Sequence, residues 1–192
     1  MMEELAHHIL DVARNSLEAG ATRVEIIVEE DPAGDLVRFS VVDNGSGIPP
    51  YVQRHLTNPF FTTKSGKKVG LGLPFLQAAV ERCSGDLEIK SEVGRGTKVT
   101  ATFPYYCWDR PPLGDMPRTI VSLLAGNGHL NLCYHHIFQG QSFKLDTAEI
   151  RSRLKGIPLD TPEVLLWLRQ YVEENLDILF GGGDYEVARR AG

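Results

Sequence analysis

Apolar side chains return every three or four positions near the start of the chain. Leu5, Ile9 and Val12 share a stripe with Ser16 and Ala19, which predicts a helix over residues 3–19. Gly20 follows, a residue suited to the left-handed turn that closes helices. The period then changes to that of strands. "TRVEIIVEE" (22–30) and "DLVRFSVVD" (35–43) are rich in β-branched residues, and the turn-forming "DPAG" between them predicts a hairpin. A short helix is expected after Pro50 over "YVQRHL", and residues 58–70 read as loop. "LPFLQAAVERCSG" (73–85) predicts a second long helix, and "DLEIKSEVGRGTKVTATFP" (86–104) a second hairpin turning at Gly94 and Gly96. Paired strands separated by helices predict an α+β fold, a two-layer sandwich of a mixed, largely antiparallel sheet with helices on one face.

The pattern breaks at "YYCWDRPPLGDMP" (105–117), dense in proline and aromatics. This divides the chain into 1–106 and a small α+β unit over 107–192. In the second part a helix is expected at 117–125 and a hairpin over 131–146 around Gln139 and Gly140. Helices at 147–154 and 161–179 would be capped by Thr147 and Thr161, with Pro162 in the first turn. The stripe of Val164, Leu168, Tyr171, Val172, Asn175, Leu176 and Leu179 suits packing on the rest of the molecule, with a dimerisation or partner-docking surface as the alternative.

Composition narrows the function classes. The 192 residues carry a formal net charge of −5 and no basic stripe with interleaved aromatics, which argues against a nucleic-acid partner. No apolar run approaches the ~20 residues that span a bilayer, so no membrane association is expected. Cys83, Cys107 and Cys133 are odd in number and far apart; they suggest neither a metal site nor a disulfide framework, and so a cytoplasmic location.

Three short stretches could carry chemistry. Asp11 and Asn15 lie four apart and share a helix face. An amide oxygen there suits Mg²⁺, a hard cation that keeps several waters, and the neighbouring carboxylate could polarise a water. The same two residues, with His7 and Glu18, also fit a plain solvated face. In "VVDNGSGIP" (41–49), Asp43 ends a strand where a carboxylate could accept from an exocyclic amine, with Gly45 and Gly47 admitting a ring close to the backbone; a simple tight turn fits equally. Gly70 and Gly72 precede a helix whose N-terminus suits phosphates, although neither a dinucleotide fingerprint nor a Walker loop is present.

Taken together, "DVARNSLEAGA", "DNGSGIP", "NPFFTTKSGKKVGLGL" and "GRGTKVTATFP", in that order, resemble the Bergerat-fold (GHKL) ATP-binding superfamily of gyrase, the heat-shock chaperone ATPase, sensor histidine kinases and the mismatch-repair ATPase. The resemblance covers residues 5–104. The first stretch is in the mismatch-repair and chaperone style; the later ones look like the ATP-binding domain of histidine kinases, with a short lid. The resemblance implies ATP and Mg²⁺ as ligands. Asn15 would coordinate the metal, Asp43 would accept from the adenine amine with Thr97 sharing a water, and Gly45 and Gly47 would shape the adenine wall. Gly70, Leu71 and Gly72 would offer backbone N–H groups to the phosphates. Phe60, Phe61, Thr62, Thr63 and Lys64 would belong to the lid, and one of Lys64, Lys67 and Lys68 would reach a phosphate. Asp11 stands where the hydrolytic branches carry glutamate as base. One methylene shortens its reach by roughly 1 Å, enough to matter to proton transfer, which implies slow or partner-dependent turnover.

A sensor kinase phosphorylates a histidine on a hairpin ahead of this domain, and here the first helix begins by about residue 3. The expectation is therefore a cytoplasmic Mg-ATP-binding regulator, exchanging ATP and ADP, that acts in trans on a protein substrate or regulatory partner as a kinase or a nucleotide-gated switch. A slow ATPase with ATP-gated homodimerisation and a non-catalytic nucleotide-binding module are the alternatives.

Overall fold

A computed structural model describes residues 4–56 and 72–181. The first helix, α1 (Leu5–Glu18), buries Leu5, Ala6, His8, Ile9, Val12, Ala13 and Ser16 on one face. Its first turn is held by the proline-rich stretch near the middle of the sequence: the N–H groups of Leu5 and Ala6 donate to the carbonyls of Pro112 and Leu113, both at 2.8 Å. These bonds satisfy donors that a helix start leaves without intrahelical partners.

Strands β1 (Arg23–Asp31) and β2 (Leu36–Asp43) form the expected antiparallel hairpin. Val24, Ile26, Val28 and Glu30 of β1 alternate inward, as the two-residue period requires. The short α2 (Pro50–Gln53) follows, then α3 (Gly72–Arg82), β3 (Asp86–Glu92) and β4 (Gly96–Phe103). Beyond the proline-rich stretch come α4 (Met116–Leu124), β5 (Asn131–Phe138), β6 (Gln141–Asp146), α5 (Thr147–Arg153) and α6 (Pro162–Leu179). The strands make one six-stranded sheet in the order β3-β4-β2-β1-β5-β6. Every pairing is antiparallel except β1 with β5, which is parallel from Arg23–Asn131 to Glu30–Phe138. The architecture is the mixed α+β arrangement that the pattern predicts.

The division drawn at residue 106 is crossed by both the sheet and the core. Residues of α1, β1 and β2 share a single hydrophobic cluster with Leu123, Leu132, Tyr134, Leu168 and Leu176. Helix α6 turns Val164, Leu168, Val172, Leu176 and Leu179 inward and packs on α4 and β6.

One buried polar chain fastens β1 to β5. Glu30, His136 and Tyr134 are 3%, 0% and 0% exposed. His136 Nδ1 lies 2.6 Å from the Tyr134 hydroxyl and its Nε2 lies 2.9 Å from Glu30 Oε1. If the phenol donates to Nδ1, Nε2–H donates to the carboxylate and a neutral imidazole satisfies both neighbours. Arg110, buried beside the Tyr105 ring at 5.3 Å, supplies a positive charge within electrostatic reach of Glu30.

Two local expectations are corrected. Asp146, not Thr147, caps α5: its carboxylate accepts from Ala148 N at 2.8 Å. Thr147 is buried, accepting from Leu132 N and donating to Leu130 O. The cysteines do form a disulfide, between Cys83 and Cys107, whose Cα atoms are 5.7 Å apart. The end of α3 and the exit from β4 meet in space although 24 residues separate them, and spacing along the chain carries no trace of that approach. Cys133 stays a buried free thiol.

Removing one member of a buried hydrogen-bonded pair strands its partner. Glu30→Ala is expected to cost about 1–3 kcal/mol, with Glu30→Gln, which keeps an acceptor, costing less. Urea unfolding of the two variants measures both.

Candidate functional site

The site grows from the end of β2. Asp43 is the last residue of that strand, on the same face as the core residues Val41 and Phe39. Its carboxylate collects three hydrogen bonds from three parts of the chain. Oδ1 accepts from Gly45 N at 2.8 Å and from Thr97 N at 3.2 Å, and Oδ2 accepts from Ser16 Oγ at 2.6 Å. Ser16 also has the Val12 carbonyl at 3.3 Å, but the shorter, charged acceptor is the stronger partner.

The loop after Asp43 is pinned at every turn. Asn44 Oδ1 accepts from the N–H groups of Thr22 and Arg23 at 3.0 and 2.8 Å, and its amide donates to Thr22 Oγ1 at 2.9 Å. Ser46 N donates to Ala19 O, and Gly94 N to Ser46 O. Gly47 has φ +69°, and a side chain there would run into the Glu92 carbonyl. Close approach as well as backbone conformation therefore requires glycine at this position. Ile48 N donates to Ser91 Oγ at 2.8 Å, and Gln53 Nε2 clamps the carbonyls of Ile48 and Ser91 at 2.6 and 3.0 Å.

Cross-strand register sets a polar row beside this loop. Asp43 pairs with Thr97 and Thr97 with Ser91, so the three share one face across β2, β4 and β3. The hydroxyls of Ser91 and Thr97 are 2.8 Å apart. The row lies where the covered face of the sheet runs out, and Asp43 and Thr97 are half-buried.

On α1, Asp11 and Asn15 are half-buried and one turn apart. Gly72, the first residue of α3, faces Asp11: a methyl group built on it would stand 3.1 Å from Asp11 Oδ2. The carboxylate thus sits beside the start of a helix, where the backbone dipole favours negative charge. Among the described residues no group of three or more His, Cys, Asp or Glu could hold a metal. The amide oxygen of Asn15 would suit Mg²⁺, a hard cation that keeps several waters.

The structure brings Asp43, Gly45, Gly47 and Thr97 together, with Asp11 facing Gly72. Lys64, Gly70 and Leu71 lie outside the described residues, as do Phe60, Phe61, Thr62, Thr63, Lys67 and Lys68. Sequence reasoning missed three participants. Ser16 was absorbed into an apolar stripe. Ser91 carried no motif, although the register of a hairpin turning at Gly94 places it opposite Thr97. Asn44 looked like a turn residue and is a clamp on the start of β1.

His8, one turn before Asp11, is 1% exposed, and among the described residues neither ring nitrogen finds a hydrogen-bond partner. Burial, assisted by the positive charges of His7 and Arg82, pushes its pKa from 6.5 down to about 4.

The fit to known proteins can now be placed on this geometry. Residues 2–106 match the family described as histidine kinase-, DNA gyrase B- and HSP90-like ATPases. The chain belongs to this family. It is 38% identical over 96 residues to sporulation kinase D of Bacillus subtilis, an alignment covering 50% of this chain and 19% of that protein. It is 29% identical over 175 residues to the autoinducer 2 sensor kinase/phosphatase LuxQ of Vibrio cholerae, covering 81% of this chain and 20% of that protein. The chain therefore spans about a fifth of the length of these relatives. Among solved structures, a catalytic domain of the histidine kinase ThkA aligns with TM-score 0.40 at 27% identity, covering 50% of this chain and 62% of that one. The mycobacterial sensor histidine kinase MprB aligns at 0.41 and 26%, covering 50% and 67%. Among the described residues, no helix is long and apolar enough to cross a membrane.

The lowered His8 value gives this histidine kinase-like ATP-binding domain a testable acid sensitivity. The folded value lies below the unfolded one, so the unfolded chain binds more protons between them. Stability is full above about pH 6.5 and falls as pH drops toward about 4. His8→Leu is expected to flatten that limb in thermal melts between pH 7 and 4. It should also gain on the order of 1 kcal/mol at neutral pH, by removing unpaired buried nitrogens.

Proposed function

We propose that this chain binds Mg-ATP and uses it to act on, or signal to, a protein partner. The observation that carries the reading is the Asp43 carboxylate. It is held by donors from α1, the 44–49 loop and β4, and the segment that holds it matches a family of ATPases. In this assignment Asp43 accepts from the adenine amine, Thr97 assists it, and Gly45 and Gly47 form the wall against the base. Asn15 coordinates Mg²⁺, and Asp11 serves as the base for an attacking hydroxyl or water. Gly70, Leu71 and Gly72 present backbone N–H groups to the phosphates, and one of Lys64, Lys67 and Lys68 reaches a phosphate. A bound nucleotide and metal would supply the electrophilic phosphorus and offset the charge on its oxygens; the chain's residues orient the purine and take up the nucleophile's proton at Asp11.

The relatives named above are kinases, which favours phosphoryl transfer to another protein over a purely structural use of the nucleotide. The acceptor would sit on the partner. Slow hydrolysis with ATP-gated pairing of two copies is the second reading. It rests on Asp11, whose short reach suits a base that needs a partner to complete its geometry.

Calorimetry with Mg²⁺ and ATP, ADP or GTP tests the ligand. Binding of both adenine nucleotides is expected, with GTP giving no heat. Asp43→Asn should weaken ADP by about tenfold to a hundredfold, the ~1.5–3 kcal/mol range of a hydrogen bond to a charged group. A flat titration with both ATP and ADP would reject the proposal. Radiolabel from γ-labelled ATP on extract protein, lost in Asn15→Ala, would favour transfer. Phosphate release without labelled protein, abolished by Asp11→Asn, would favour the ATPase.

A further inference from the structure

A cavity of about 630 Å³ lies where the end of α1 meets the α4–β5 and α5–α6 loops, and it shares no residue with the row of Asp43, Thr97 and Ser91. That volume falls in the range of small-molecule sites, about 300–1,000 Å³. Leu17, Ala21, Leu130 and Leu159 contribute an apolar lining. Arg151 and Asp160 add one charge of each sign, and His129 joins them as an exposed side chain.

The two charges are held against one residue but not against each other. Arg151 Nη2 donates to the carbonyls of Gly128 and Leu130 at 3.2 and 2.9 Å, and Nη1 donates to Asn131 Oδ1 at 2.8 Å. All three acceptors are neutral, and Nε finds no acceptor among the described residues. The Asp160 carboxylate lies over the same Gly128: a methyl group built on that glycine would stand 2.5 Å from Oδ1. Glycine therefore leaves the carboxylate room to approach the loop. Among the described residues, the Asp160 side chain has no hydrogen bond, and no ion pair joins it to Arg151.

Opposite charges gathered around one residue and left unpaired suit a ligand that carries both. A simple anion would meet Arg151 but also the repulsion of Asp160, and a simple amine would meet the reverse. An ammonium at Asp160 and a carboxylate at Arg151 would each form charge-assisted hydrogen bonds, the stronger kind. A single carbon separates these two groups in an α-amino acid, which leaves its side chain to fill the apolar lining. We infer that this cavity is a binding site for an α-amino acid with a large apolar side chain, its ammonium on Asp160 and its carboxylate on Arg151. The inference does not depend on nucleotide binding at Asp43.

Calorimetry on the full chain with L-tryptophan, L-phenylalanine and L-leucine tests it. At least one is expected to give a saturable titration at millimolar concentration; flat titrations with all three overturn the inference. The analogues of tryptophan that lack one charge, indole-3-propanoate and tryptamine, should each bind about tenfold or more weakly than tryptophan, the loss of one hydrogen bond to a charged group. Equal affinity for either analogue overturns the pairing of both charges. Asp160→Asn, which keeps the shape of the side chain, should weaken the amino acid by about tenfold or more, and an unchanged affinity overturns the inference. Arg151 also holds the 128–131 segment, so its replacement is a poorer probe. Thermal melts check that the variants fold. Should Asp160→Asn not fold, Ala21→Leu decides: it fills the lining and should block binding, and undiminished binding overturns the inference.

Discussion

The arrangement hangs on a carboxylate at the end of a strand. Asp43 can be half-buried only because a helix, a loop and a neighbouring strand each give it a hydrogen. A charge drawn out of water demands this, since each missing donor leaves a desolvation cost of several kcal/mol with nothing to offset it. The demand works in both directions. Ser16 fixes where α1 crosses β2, Gly45 fixes the turn, and Thr97 fixes β4. The groups that would meet a purine are therefore set in place by the same bonds that close the fold around them.

The second constraint is the join between β1 and β5. A parallel pairing needs a long return path, and the chain supplies it through β2, α3, β3, β4 and α4 before β5 arrives beside β1. The sheet made by residues up to 103 would end at β1; instead that edge is covered, and an exposed edge is an invitation to unwanted pairing. Glu30 marks the join. Its position reads as inward-facing from alternation alone, and a carboxylate is tolerated there because His136, from the far half of the chain, supplies its partner.

What could be read from the chain was what depends on near neighbours. The helix beginning at Leu5 and the hairpins around "DPAG" and Gly94 follow from periods and turn residues a few positions apart. Asp43, Gly45 and Gly47 stood out because a carboxylate followed by glycines at a strand end is an unusual local combination. What could not be read depends on register or on distant approach. Ser16 is small enough to pass for part of an apolar stripe. Ser91 becomes meaningful only once it lies opposite Thr97. Cys83 meets Cys107 because a helix and a strand end together, and Asp146 outcompetes Thr147 as a cap because Thr147 is drawn inward by Leu132 and Leu130.

The stretch from Pro104 to Asp115 does more than connect. Its carbonyls at Pro112 and Leu113 hold the start of α1, and the sulfur of Cys107 holds the residue just past the end of α3. Two helices that flank the Asp11–Gly72 approach are thereby yoked to one crossbar. Packing continues from α1 to α4 and from α4 to α6, so one short stretch of chain is tied to both ends of a continuous row of helices.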